Sequence, residues 1–251
     1  MAAWLLYCGT KMKLEIGYNH PFEVRREFFF TKCEENFSVL FLSDLHFNRF
    51  STQSIQRITQ TIQELNPDII LFGGDYVDST RGLNHLNDLL DSIGRRRNMF
   101  AIAGNHDYFF GIDRIEQVMK SHGVRWIEKN SAVTQIGNSR VQIDGNVINN
   151  QVHADCAILL LHKPENPDNF KTQYNLAFAG HLHGSQFVLW QKGNALYPGK
   201  LFYEWNISKT TAGKCAYMIS KGLGDTLPIR YNCKRDVVFV EVIGKNQTQK
   251  V

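Results

Sequence analysis

A chain of 251 residues, 43% hydrophobic and 21% charged, can bury one large core and has neither a disordered nor a fibrous composition. Six prolines and no repeated tract exclude a proline-rich linker protein or a solenoid. The formal net charge of +4 is mild: it leaves no strong nucleic-acid signal and only a weak preference for anionic substrates or membrane surfaces.

The first ten residues (MAAWLLYCGT) hold an apolar stretch too short to span a bilayer and without a basic lead. A packed strand and an interfacial anchor both fit it. Residues 1–36 therefore read as an N-terminal strand or membrane-proximal segment ahead of a main domain at 37–251. Residues 22–30 (FEVRREFFF) partly alternate, as an early strand does, and 38–43 form a short apolar run expected of a strand covered on both faces. Ser51 is placed to cap a helix whose apolar stripe is Ile55, Ile58, Ile62 and Leu65, and Asn66-Pro67 closes it.

Residues 68–72 predict a second buried strand running into Gly73-Gly74-Asp75, followed by a helix near 83–93. Residues 99–103 predict a third, running into Gly104-Asn105-His106-Asp107, and Ile112, Ile115, Val118 and Met119 mark another amphipathic helix. From 124 to 152 the pattern turns to short antiparallel strands with turns at Gly137-Asn138 and Asp144-Gly145. Residues 157–161 and 176–179 return to buried-strand composition, and 216–220 and 237–242 are strand-like. This order predicts an α/β domain of two packed sheets with helices outside.

Five cysteines (Cys8, Cys33, Cys156, Cys215, Cys233) are odd in number, scattered, and contain no CxxC. That disfavours a disulfide framework or a thiolate zinc site and fits a reducing compartment, with Cys156 a core residue. A cytoplasmic protein is expected, or one peripheral at the inner membrane.

The recurring event is a buried strand that stops at a residue able to bind metal. Asp44 and His46 follow the first, Asp75 the second, and Asn105 and His106 the third; His162, then His181 and His183, follow the last two. In α/β sheets such ends hold functional groups because the scaffold fixes the loop and leaves its tip accessible. Imidazole, carboxylate and amide oxygen without thiolate suit manganese first, with iron, zinc or magnesium as alternatives. Two carboxylates, four histidines and an asparagine exceed what one tetrahedral ion needs, which points to two divalent ions and a bridging carboxylate.

Five blocks in order, Asp44-Leu-His46, Gly74-Asp75, Gly104-Asn-His-Asp107, His162 and Gly180-His-Leu-His183, resemble the signature of the calcineurin-like metallophosphoesterase superfamily over roughly residues 37 to 243. The resemblance implies a four-layer αββα sandwich, two mixed β-sheets flanked by helices. It implies a hydrolase of phosphoric ester or pyrophosphate bonds that uses a hydroxide held between two ions. Asp44, His46 and His183 are then on one ion, Asn105, His162 and His181 on the other, and Asp75 bridges. It also implies a catalytic His106 beside the site, acting on the departing oxygen, with Asp107 holding its imidazole.

Three further stretches, 160–165 (LLHKPE), 180–186 (GHLHGSQ) and 220–230 (SKGLGDTLPIR), resemble the small bacterial, membrane-associated branch that includes UDP-2,3-diacylglucosamine pyrophosphatases of lipid A synthesis. A nucleotide-linked lipid, cut to lipid X and UMP, is the substrate that this likeness implies. Soluble nucleotides or other phosphoesters are the alternative, and a scaffold without activity is a third. No obligate protein partner is inferred. Phe28-Phe-Phe30 and the aromatic stretch 187–205 read as core strand or as an apolar face for an acyl chain. Arg95-Arg-Arg97 reads as a solvated helix end. Arg49, close behind the first block, reads as a substrate-phosphate ligand or a plain surface residue.

Overall fold

The computed structural model describes residues 13–31, 33–149 and 151–245, so the apolar first ten residues lie outside the described residues. Two six-stranded sheets carry the architecture. The first runs in the spatial order Glu23–Phe30, Asp236–Ile243, Phe37–Leu42, Ile69–Phe72, Met99–Ala101, Arg125–Trp126. All its neighbours are parallel except Asp236–Ile243 against Phe37–Leu42. Residues 23–30, ahead of position 37, thus belong to the same sheet as the central strands. The second sheet runs Lys209–Ala212, Cys215–Ile219, Leu176–Ala179, Cys156–Leu160, Ser139–Gly145, Ser131–Ile136, with four parallel strands inside and an antiparallel strand at each edge.

Strand side chains alternate between two cores, which is why these runs are apolar throughout. In Phe37–Leu42, Val39 and Phe41 face the second sheet, while Leu40 and Leu42 face the helices. The inter-sheet core joins Phe41 to Phe178 with ring centroids 5.2 Å apart. Each buried side chain of this size contributes about 1.5–3 kcal/mol. Against the outer face of the first sheet pack α1 (Thr52–Leu65), α2 (Thr80–Ile93) and α4 (Ile112–Ser121), through Ile55, Ile58 and Ile62, through Leu86, Leu89 and Leu90, and through Ile115 and Met119. The short α3 (Asn105–Phe110) lies between α2 and α4 in the chain. The outer face of the second sheet is covered by shorter elements. A 3₁₀ turn at Pro167–Asn169 and the side chains of Phe170, Tyr174 and Trp205 seal it, and all four described α-helices fall between residues 52 and 121.

Several local expectations change. Ser51 precedes α1, but its hydroxyl accepts the Asn48 N–H at 2.9 Å and leaves the helix end uncapped by a side chain. Asn66 ends α1 in the left-handed region (φ 42°), with its N–H on Ile62 O. Gly137-Asn138 does turn a hairpin, but Asp144-Gly145 is the buried end of a strand, where Asp144 accepts from Tyr174 Oη at 2.6 Å. The aromatic stretches are core only in part: Phe29 packs on the inter-sheet core and Trp205 on the second sheet, whereas Phe28 and Phe30 are 62% and 67% exposed and Phe202 is 77% exposed. Trp190 stacks on Tyr197 instead, at the surface. Among the described residues no helix is long and apolar enough to cross a membrane. The four described cysteines are buried free thiols, Cys156 in the inter-sheet core.

Candidate active site

Each predicted site residue leaves the carboxyl end of a parallel strand, and the loops of the two sheets meet there. Asp44 N–H donates to Gly74 O and His46 N–H to Asp75 O, each at 3.0 Å, which ties the first loop to the second. His181 N–H reaches across from the second sheet to Asp44 Oδ1 at 3.0 Å. Five of these residues, Asp44, His46, Asp75, His181 and His183, have left-handed backbones with φ between 43° and 71°. Such a conformation costs a non-glycine residue about 1–3 kcal/mol and persists where surroundings over-determine it, typically at functional sites. Two glycines permit the close approach: a Cβ on Gly180 would overlap the Ser43 hydroxyl and Asp44 carboxylate, and one on Gly104 would overlap Asp75.

Two donor clusters result. Asp44, His46 and His183 form the first, with His46 Nε2 3.2 Å from His183 Nε2 and Asp44 Oδ1 3.6 Å from His183 Nε2. Asp75, His162 and His181 form the second, with His181 Nδ1 3.2 Å and Asn105 Oδ1 3.0 Å from His162 Nε2. Asp75 Oδ2 lies between them, 3.3 Å from His162 Nε2 and 3.8 Å from His46 Nε2, while its Oδ1 accepts the His106 N–H at 2.8 Å.

This donor set fits divalent ions. His46 Nδ1 is held by Asp78 at 2.8 Å and His162 Nδ1 by the Gly73 carbonyl at 2.9 Å, so both rings turn a bare Nε2 inward. Facing lone pairs at 3.2 Å beside two buried carboxylates require a cation or a proton between them. With protons alone the balance is uneven. Burial opposes charge on His162, but the Asp75 hydrogen bond and the Asp44 charge raise it to about 9. Burial and then the charge on His162 push His181 down to about 4. Burial, His46 and Arg230 lower His183, and burial raises Asp44 despite nearby His162. A group of imidazoles forced apart in this way is what a bound cation relieves.

A third cluster sits at the edge. Asp78 Oδ1 contacts both His46 Nδ1 and His106 Nδ1, the latter at 3.2 Å, and the two rings meet edge to face at 4.7 Å. His106 stays about 29% exposed in its side chain, open toward solvent. Asp107 does not hold that imidazole. Its buried carboxylate accepts backbone N–H groups from Gly104 (2.7 Å), Asp75 and Tyr76 (2.9 Å each), so it locks the loops together. Burial nevertheless pushes its carboxyl up to about 7. Asp78 was the residue to find: it stands three positions after Asp75, in Gly-Asp-Tyr-Val-Asp, on the same loop. Arg230 was also missed; wholly buried, it places Nη2 3.4 Å from His183 Nδ1 and pairs with Asp225, and no short-range pattern connects it to His183. Arg49 is exposed, its guanidinium 4.5 Å over the Phe50 ring.

Residues 37–185 match the calcineurin-like phosphoesterase family. Phosphodiesterase YaeI of Escherichia coli (strain K12) is 27% identical over 233 residues, covering 86% of this chain and 85% of that protein. A metallophosphoesterase of Aquifex aeolicus (strain VF5) is 28% identical over 225 residues, 81% and 84% of the two chains. UDP-2,3-diacylglucosamine pyrophosphatase LpxG of Chlamydia muridarum (strain MoPn / Nigg) is 32% identical over 76 residues only, 29% of this chain and 23% of that one. The likeness to a phosphodiesterase therefore runs nearly end to end, and that to the lipid pyrophosphatase is confined to a short stretch.

Proposed function

Because the chain belongs to the calcineurin-like phosphoesterase family and is a metal-dependent phosphoester hydrolase, we propose that it cleaves phosphodiester or pyrophosphate bonds at the Asp44–His183 and Asp75–His181 clusters. The observation that carries this reading is Asp75 Oδ2 between the two clusters, with His106 fixed at their edge. Asp44, His46 and His183 would hold one divalent ion, Asn105, His162 and His181 the other, and Asp75 both. Bound there, the ions, manganese in this reading, supply Lewis acidity to the phosphoryl group and lower the pKa of the attacking water.

The chain's own residues do the rest. His106 gives its Nδ1 side to Asp78 and its backbone N–H to Asp75, which leaves Nε2 to hold a proton for the departing oxygen. Asp78 orients His46 and His106 together, so the ligand and the acid are set by one carboxylate. Asp107 keeps the loops in register beneath them.

For the substrate we favour a nucleotide-linked lipid of the UDP-2,3-diacylglucosamine type, met at a membrane surface. Exposed Leu189, Trp190, Leu201, Phe202 and Tyr203, just beyond the His183 loop in sequence, and the short match to LpxG support it. The near full-length likeness to a phosphodiesterase supports a diester as the bond cut, and soluble diesters are the second reading. Hydrolysis of bis(p-nitrophenyl) phosphate with Mn²⁺ tests the bond class, and absence of turnover with any added divalent ion would sink it. Release of UMP and the lipid monophosphate from UDP-2,3-diacylglucosamine tests the lipid reading; intact substrate beside an active diesterase leaves the soluble one.

A further inference from the structure

A cleft of about 720 Å³ opens next to the third cluster, with Asp78 in its wall. That volume suits a nucleoside- or sugar-sized group. Tyr18, Asn48, Arg49, Phe50 and Arg81 line it. We propose that this cleft is a second anion subsite, which takes a phosphoryl group on the departing half of the substrate between Arg49 and Arg81.

Charge points there first. Among the described residues neither Arg49 nor Arg81 is in an ion pair, although both face the cleft. The carboxylates that share the lining are already answered: Asp78 by His46 and His106, and Asp225 by Arg230 and Arg235. Two guanidinium groups that line one cleft outside any ion pair suit a dianionic phosphoryl group, which accepts from such forks two bonds at a time.

Preorganisation is the second argument. Asn48 Oδ1 accepts the Phe50 N–H at 2.9 Å, Ser51 Oγ accepts the Asn48 N–H at 2.9 Å, and Asn48 O accepts the Ser51 N–H at 3.2 Å. This closed loop holds the Arg49 guanidinium over Phe50, which in turn stacks on Tyr18 at 5.6 Å and 12°. It also explains why Ser51 is not spent on capping α1. Phe50 remains 46% exposed, an aromatic floor between Tyr18 and Arg49.

Position is the third. Asp78 is common to the cleft and to His106, so the cleft continues from the acid's side of the site. The inference rests on the reading above in that respect, since a group that protonates the departing oxygen faces the departing half.

Calorimetry with the Mn²⁺-loaded protein tests it without requiring turnover, using AMP and adenosine 3′,5′-bisphosphate as probes. The wild type should bind the bisphosphate roughly tenfold more tightly or better, as an extra charge-assisted contact gives. Arg49→Ala with Arg81→Ala should bring the two dissociation constants together while leaving that for AMP nearly unchanged. Arg97→Ala with Arg140→Ala, the same loss of charge elsewhere, should preserve the difference. If the alanine pair fails to fold, Arg49→Gln with Arg81→Gln serves. Equal affinities in the wild type, a preference that survives in the variant, or binding of neither probe would overturn the subsite. Turnover of bis(p-nitrophenyl) phosphate, measured on the same preparations, reports separately on the hydrolase reading.

Discussion

Asp78 and Asp107 are two buried or half-buried carboxylates on neighbouring loops, and their partners assign them opposite work. Asp78 faces two imidazoles, so Asp78→Asn should lower kcat about 10–100-fold, the range for removing a partner behind a metal ligand, with little change in melting temperature. Asp107 faces three amide N–H groups. Asp107→Asn turns an NH₂ toward a buried donor, a loss of about 1–3 kcal/mol, which in a domain of this size lowers the melting temperature by roughly 2–10 °C. Thermal melts beside steady-state kinetics separate the two; matching profiles for both variants would refute the division. His106→Ala should reduce kcat about 100-fold on a diester with an alkyl leaving group, and much less on p-nitrophenyl esters, whose leaving oxygen needs no proton. Both ions should remain bound; their loss in elemental analysis would place His106 among the ligands.

Among elements, the site depends on loops that turn sharply at the ends of parallel strands from two different sheets. Gly180 is where the second sheet's loop touches the first sheet's Asp44. Gly180→Ala should therefore displace Asp44 and cost about 100-fold in activity, the effect of a shift near 1 Å in a reacting constellation. Elemental analysis should show fewer ions per chain than in the wild type, whereas full occupancy would argue that the loop simply yields. The helices were legible from their stripes because α1, α2 and α4 each bury one face on the first sheet. The strand at Ser139–Gly145 was misread at its end because Asp144 is buried with a tyrosine partner, and a turn-forming residue type gives no sign of a distant hydroxyl.

At the scale of the whole molecule, metal binding should be part of stability. Two carboxylates and inward-facing imidazoles repel or leave lone pairs unsatisfied without cations. Chelation should lower the melting temperature by roughly 5–10 °C relative to protein with free metal about 100-fold above its dissociation constant, and differential scanning calorimetry checks it. The exposed apolar side chains make a second prediction: Trp190→Glu with Phe202→Glu should reduce sedimentation with anionic vesicles several-fold and leave bis(p-nitrophenyl) phosphate hydrolysis unchanged. Binding unaffected by both changes would remove the membrane-facing role from this surface. By itself the sequence determined the alternation of buried strands and helices, and which residues stand at strand ends, because burial on both faces demands unbroken apolar runs and chemistry collects where they stop. Only the tertiary structure decided which carboxylate serves which imidazole, that the aromatic stretch 187–205 carries an exposed apolar surface, and that Arg49 shares a cleft with Arg81. Those are contacts between residues distant in the chain, set by how two sheets pack, and local pattern carries no information about partners that only packing brings together.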